Sequence, residues 1–125
     1  MIFLDTHALI WLHEAEFDKF SSDTLSLIER SDLFHSPMVR IELFYLNQLK
    51  KIKKPALHLL DDLEKRIGLC ISPYSSDEVT RNATHIEWTR DPFDLLIAAE
   101  VFGKQEHFLV TRDKQIKTHL KEAIW

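Results

Sequence analysis

The sequence predicts an α/β fold with a mostly parallel central sheet that helices cover on both faces. Short apolar runs typical of buried strands alternate with longer amphipathic segments typical of helices. Only two glycines occur in 125 residues, which indicates tight connections, and no linker or internal repeat marks a second domain. We therefore expect one domain over residues 1–125. The predicted strands lie at residues 2–4, 33–35, 68–71, 107–110 and 123–125.

The helices are predicted from apolar periodicity and from residues that begin or end a helix. The first strand is expected to turn directly into a helix at Asp5. Ser36 and Pro37 are expected to open the helix at 37–49, Asp91 and Pro92 open another, and Gly103 ends it. Further helices are predicted at residues 21–30, 56–66, 76–84 and 113–120.

Composition is typical of a soluble globular protein, with 45% hydrophobic and 29% charged residues. No apolar run reaches the roughly 18 residues of a membrane helix, and no secretory signal pattern opens the sequence. The single cysteine, Cys70, cannot form an internal disulfide, so we expect a cytoplasmic protein with Cys70 in its core. The net charge of −4 argues against nucleic-acid binding through bulk basicity, but it allows an enzyme with a local basic rim.

Two aspartates follow predicted strands. Asp5 ends the first strand, and Asp113 lies just past the strand at 107–110. Because the carboxyl ends of parallel strands meet at one edge, where such sheets bind ligands, both carboxylates are expected at that edge. Each aspartate could equally cap the helix that follows it.

Glu42 and Asp94 lie on helices among apolar side chains. Glu42 falls within an apolar arc that is expected to face the core: Met38, Ile41, Tyr45, Leu46 and Leu49. A carboxylate in that arc costs free energy unless it is paired, so it indicates either a salt bridge or, as we favour, a metal or active site. A capping box between Asp91 and Asp94 would account well for the carboxylate of Asp91 as the cap, but it accounts less well for the carboxylate of Asp94.

Four carboxylates gathered in one pocket would repel each other unless some were protonated, spread apart or bound to a cation. Ligands that are all oxygen favour hard ions such as Mg²⁺ or Mn²⁺. Such an ion activates water and neutralises charge on a phosphate, so the pattern suits phosphodiester hydrolysis.

Asp5, Asp94 and Asp113 lie in three characteristic stretches of the sequence, which are IFLDTHALIW at 2–11, RDPFDLLIAA at 90–99 and VTRD at 110–113. Together with Glu42 they resemble the PIN domain, in particular the VapC-type toxins of prokaryotic toxin–antitoxin pairs. The resemblance spans the whole chain. It implies a single PIN domain over 1–125 with a three-layer α/β/α sandwich. It further implies a Mg²⁺- or Mn²⁺-dependent endoribonuclease that forms a homodimer and is inhibited by a cognate antitoxin.

The resemblance also implies roles for individual residues. Asp91 would assist the site or cap its helix, and Thr6 and Thr111 would hydrogen-bond the metal-binding carboxylates or water. The residues that match the catalytic and metal-binding quartet of the family are Asp5, Glu42, Asp94 and Asp113.

Basic residues near these positions are candidates for contact with RNA phosphates, namely Arg40, Arg90 and Arg112. The basic run at 50–54 is either an RNA contact or a solvated connector. His7 is interpreted as a packed residue of the first helix.

Two other functions fit the same pattern. One is a catalytically inactive binding module with the PIN fold. The other is a phosphatase or phosphotransferase with Asp5 as its nucleophile. Such enzymes commonly carry a second aspartate two residues later, where this chain has His7.

Overall fold

A five-stranded, entirely parallel sheet forms the centre of the computed structural model, which describes residues 1–125. The strands are β1 (Ile2–Leu4), β2 (Leu33–His35), β3 (Cys70–Ile71), β4 (Phe108–Val110) and β5 (Ala123–Ile124). Their order across the sheet is β3-β2-β1-β4-β5, with every neighbouring pair parallel. The prediction of a mostly parallel sheet is confirmed. β1 lies at its centre, so Asp5 follows a strand that has neighbours on both sides.

Seven α-helices and one short 3-10 helix, Phe17–Lys19, connect the strands. The α-helices are α1 (Thr6–His13), α2 (Ser22–Glu29), α3 (Pro37–Gln48), α4 (Ala56–Ile67), α5 (Ser76–Ala83), α6 (Pro92–Ala99) and α7 (Lys114–His119). Because parallel crossovers are right-handed, the helices fall on both faces of the sheet. Helix α1 packs against α4, α5 packs against α6, and α3 contacts both α4 and α6. The predicted three-layer α/β/α arrangement is confirmed.

The hydrophobic core lies on both faces of the two central strands. β1 is buried along its whole length, and Leu109 and Val110 of β4 are fully buried. Leu9 of α1 and Ile116 of α7 have no exposed surface, so helices from both ends of the sequence meet the central sheet. This burial fixes the carboxyl ends of β1 and β4 side by side.

Two expectations about the core are wrong. Cys70 is exposed, because β3 has only two residues and forms an edge of the sheet. Ile41, Tyr45 and Leu49 are also exposed, and α3 instead buries Val39 and Leu43. Eight of the twelve residues of α3 are apolar or aromatic and they lie on more than one side of the helix, so hydrophobicity alone does not show which side meets the core.

Helix ends follow the predicted residues closely. The side chains of Ser36 and Asp91 each accept a backbone N–H bond in the first turn of the following helix. Helix α6 ends at Ala99, earlier than predicted, and turns lead from it to Gly103, which has a positive φ of 73°. None of the helices combines the length and apolarity needed to span a bilayer.

A polar link joins α1 to α4. The Asp62 carboxylate accepts bonds from Arg66 and contacts His13 at 2.7 Å, and Arg66 also donates to the carbonyl of His13. Hydrogen bonds from Arg66 and His13 lower the pKa of Asp62 to about 2. The link therefore stabilises the protein at neutral pH.

Asp62→Asn is expected to lower the free energy of unfolding at pH 7 by about 1 kcal/mol, since the link is partly exposed and screened by solvent. A depressed carboxylate pKa stabilises the folded state fully above its ordinary value near 4, and this contribution disappears as pH falls toward 2. Urea unfolding at pH 7 and at low pH measures the difference. The matched control is Asp77→Asn, because Asp77 and Arg81 form a similar i,i+4 pair that is mostly exposed.

Candidate active site

A pocket of about 330 Å³ opens at the carboxyl edge of the sheet, beyond β1 and β4. All four acidic residues predicted from the sequence line it, and they come from four different elements. Its complete lining is Asp5, His7, Trp11, Glu42, Asp94, Arg112 and Asp113. The fold therefore gathers carboxylates that lie up to 108 positions apart in the sequence.

Asp5 is the most buried of these acids, with 8% of its surface exposed. One carboxylate oxygen accepts the backbone N–H of Thr6 at 2.7 Å, and the other accepts the Thr111 hydroxyl at 2.6 Å. Burial raises the pKa of Asp5, while these two hydrogen bonds oppose the rise and the nearby Asp113 adds to it. Both oxygens are thus held in fixed directions.

Thr111 connects two acids of the pocket. Its hydroxyl donates to Asp5 and accepts the backbone N–H of Asp113 at 3.1 Å. The Asp113 side chain caps α7 by accepting the N–H of Ile116 at 2.9 Å. Asp5 and Asp113 therefore both cap helices and line the pocket, so the two interpretations of each residue hold together.

Glu42 reaches the pocket from the middle of α3, beside the fully buried Thr6. Burial raises the pKa of Glu42. The nearby Thr6 hydroxyl opposes the rise, although its contact falls short of a well-formed hydrogen bond. The charges of Asp5 and Asp91 raise the pKa further. Glu42 forms no salt bridge, so the alternative of a structural ion pair is wrong.

Asp91 and Asp94 have different roles at the start of α6. The Asp91 side chain accepts the backbone N–H groups of Phe93 at 2.8 Å and Asp94 at 3.2 Å. The reciprocal bond of a capping box is absent, because the N–H of Asp91 donates to Thr89 instead. The Asp94 carboxylate therefore faces the pocket, and burial together with the charges of Asp91, Asp113, Asp5 and Glu42 raises its pKa to about 7.

Only one of the three candidate arginines lines the pocket. Arg112 does so, and its guanidinium lies 5.9 Å from the ring centres of Trp11 and Trp125. Arg40 and Arg90 are exposed outside the lining. The exposed Arg112 forms no salt bridge with the acids, so its charge is available to an anion.

Sequence reasoning missed two residues of the pocket. His7 is exposed and lines it, which corrects the interpretation of His7 as a packed residue. Trp11 also lines the pocket, with its ring centre 5.8 Å from that of His7. The spacing of four residues places both on one helix face, and this was the available signal once Asp5 was assigned to the pocket.

The residues of the pocket fit a hard divalent cation by their chemistry. Four carboxylates face one space with one neighbouring arginine, and their mutual repulsion contributes to the raised pKa of Asp94. No three His, Cys, Asp or Glu side chains converge closely enough to form a ready ligand group. Carboxylates that are crowded together without a positive charge are expected to lie apart from one another and to have raised pKa values. An all-oxygen donor set is the kind that Mg²⁺ and Mn²⁺ prefer.

Comparisons with known proteins agree with this fold. The PIN domain is the family whose model matches the chain, over residues 2–119. The chain belongs to the PIN-domain family. Its structure is similar to the crystal structure of VapBC2 from Rickettsia felis bound to a DNA fragment from their promoter, with a TM-score of 0.64 and 24% identity over 99% of this chain and 96% of that one. At this identity the likeness shows a shared fold. No curated protein is significantly similar in sequence.

Proposed function

We propose that this PIN-domain chain is a cytoplasmic, Mg²⁺- or Mn²⁺-dependent endoribonuclease, and that it is the toxin of a toxin–antitoxin pair. The observation that carries the proposal is the acidic pocket, in which carboxylates from four elements face one another without a salt bridge. A purely structural role does not account for so much unpaired negative charge. Family membership and the likeness to a VapBC assembly support the proposal.

In this proposal Asp5, Glu42, Asp94 and Asp113 hold the cation, which when bound activates water and neutralises charge on the scissile phosphate. Thr111 fixes the direction of the Asp5 carboxylate through its 2.6 Å hydrogen bond. The Asp91 side chain orders the first turn of α6 and thereby positions Asp94. Arg112 contacts an RNA phosphate at the side of the pocket.

The phosphatase alternative is less consistent with the geometry. The two short hydrogen bonds to the Asp5 oxygens withdraw negative charge and weaken Asp5 as a nucleophile, whereas each oxygen keeps a lone pair for a cation. The pocket also offers several negative charges to an incoming phosphoryl group. A covalent aspartyl-phosphate on Asp5, detected by mass spectrometry after reaction with a phosphate monoester, would support that alternative.

Cleavage of a labelled single-stranded RNA tests the proposal against the inactive binding module. We expect cleavage with Mn²⁺ or Mg²⁺ and none after chelation with EDTA, because the carboxylates alone cannot stabilise charge on the phosphate. A protein that binds the RNA but leaves it intact with either metal would be a binding module.

Metal addition is also expected to raise the melting temperature. Binding to the folded state alone stabilises it by about 2.7 kcal/mol when free metal is 100 times its dissociation constant. We expect a rise of several degrees in calorimetry with millimolar Mn²⁺, and a rise that is lost with EDTA. An unchanged melting temperature at millimolar metal would argue against a metal site in this pocket.

We propose further that the chain forms a homodimer and binds a cognate antitoxin. Support for dimerisation comes from the exposed apolar side of α3, formed by Ile41, Phe44, Tyr45 and Leu49. An apolar patch of this kind on one helix is typical of a protein interface. Tyr45→Glu is expected to convert a dimer into a monomer in light scattering, while Gln105→Glu, at an exposed position in the turn before β4, leaves it dimeric. An unchanged mass for Tyr45→Glu would exclude this side of α3 as the interface.

A further inference from the structure

A compact group of lysines follows α3 and is not used by the proposed mechanism. We call residues 50–54 the lysine loop; its lysines are Lys50, Lys51, Lys53 and Lys54. All four are exposed, and none forms a salt bridge. A protein of net charge −4 thus presents four uncompensated positive charges within five residues. Such a patch attracts a polyanion.

The lysine loop is held in one shape. The Asn47 side chain donates to the carbonyl of Ile52 at 3.2 Å and to that of Lys53 at 3.5 Å. Ile52 packs against the hydrophobic core, so the loop is anchored between its lysines. Lys50 adopts a positive φ of 58°, which reverses the chain directly after α3. Less conformational entropy is lost on binding when the backbone that carries the lysines is already ordered.

The packing of α3 against α6 shows where the lysine loop lies. Met38 near the start of α3 shares a cavity with Leu96, whereas Tyr45 further along contacts Phe93 with ring centres 5.7 Å apart. The two helices are therefore antiparallel, and α3 runs toward the end of α6 that carries Asp94. Lys50 follows Glu42 by eight residues, about 12 Å along a helix axis. The loop thus lies beyond the acidic pocket, past the end of α6 that carries Asp94.

We propose that the lysine loop binds the backbone phosphates of an RNA strand whose scissile phosphate lies at the acidic pocket. The inference rests on the proposed nuclease function and adds a substrate-binding surface to it. The carboxylates of the pocket repel a polyanion and Arg112 is the only lysine or arginine that lines it, so a separate positive surface adds attraction that the pocket lacks. The first turn of α4, directly after the loop, has no acidic residue and no side-chain cap, so its dipole adds to the positive potential. Contact with phosphates alone makes this surface indifferent to base sequence.

The test compares two charge-matched triple variants. The loop variant carries Lys51→Gln, Lys53→Gln and Lys54→Gln. The control carries Arg30→Gln, Lys65→Gln and Lys121→Gln, which replace exposed residues without salt bridges that precede β2, β3 and β5 at the opposite edge of the sheet. Binding of a short fluorescein-labelled single-stranded RNA is measured by anisotropy over a range of salt concentrations. Each protein also carries Glu42→Gln, so that cleavage does not interfere.

We expect the loop variant to reduce the slope of log affinity against log salt by about 2, since each phosphate contact with a single strand contributes about 0.7. The control variant should keep the slope of its parent. With Glu42 intact, the loop variant should raise KM roughly tenfold at low salt and leave kcat nearly unchanged.

Equal slopes and affinities for the two triple variants would overturn the inference. Loss of binding to an acidic partner protein with unchanged RNA binding would overturn it as well and would assign the loop to that protein. Because binding is measured without cleavage, a wild-type protein that binds RNA but does not cut it contradicts only the proposed nuclease function.

Discussion

Asp5→Asn is expected to lower kcat/KM for RNA cleavage by at least about 100-fold, because loss of residues that merely support metal ligands already costs 10–100-fold. Asparagine removes one negative charge from the pocket without removing a good N-cap residue. The Thr111 hydroxyl can rotate to accept a bond from the new amide, so the fold is expected to persist. Initial rates with Mn²⁺ on a labelled single-stranded RNA measure the change.

The matched control for Asp5→Asn is Asp77→Asn, which makes the same chemical change at an exposed position on α5. We expect the control to retain wild-type kcat/KM and both variants to unfold cooperatively. Wild-type activity in a folded Asp5→Asn protein would exclude Asp5 from the reaction. Glu42→Gln is expected to behave like Asp5→Asn, since both residues contribute charge to one pocket.

Asp94→Asn is expected to stabilise the metal-free protein above pH 7. Burial and four neighbouring carboxylates raise the pKa of Asp94 to about 7, so the folded state loses stability as pH rises from about 4 to 7 and this group ionises. The full shift corresponds to about 4 kcal/mol. Asp94 is partly exposed, so we expect a gain of roughly 1–2 kcal/mol after screening by solvent.

Urea unfolding in EDTA at pH 8 and at pH 4 measures this effect, and the two proteins should have equal stability at pH 4. Millimolar Mn²⁺ should reverse the order at pH 8, since it stabilises the wild type while Asp94→Asn binds it weakly. A variant that is less stable than the wild type in EDTA at pH 8 would show that the ionised Asp94 carboxylate does not destabilise the folded protein.

The sequence predicted the sheet and three acids of the pocket, Asp5, Asp94 and Asp113, because these depend on local patterns. Apolar runs that end at Asp5 and just before Asp113 define strands and place both acids at one edge once the strands are parallel. The motifs around Asp94 define the start of a capped helix. These inferences need no knowledge of how distant surfaces meet.

Features that depend on distant surfaces were predicted poorly. Glu42 was selected by an apolar arc that proved to be exposed at Ile41 and Tyr45. It lies in the pocket because α3 packs antiparallel to α6, a relation that helix periodicity does not contain. Cys70 was assigned to the core because strand order, which leaves β3 at an edge, cannot be inferred from the strand itself. His7 was misassigned because it lines a pocket completed by Glu42, Asp94 and Arg112, which no pattern within α1 reveals.

The pairing of β1 with β4 has a consequence for protein synthesis. Asp5 emerges from the ribosome early, but its hydrogen-bond partner Thr111 follows 106 residues later. Contacts between such distant positions form slowly and late in folding, because a long stretch of chain must be ordered first. A nascent chain therefore cannot assemble the acidic pocket until Asp113 has left the ribosome. The proposed ribonuclease therefore cannot cleave RNA before its own synthesis has reached that point.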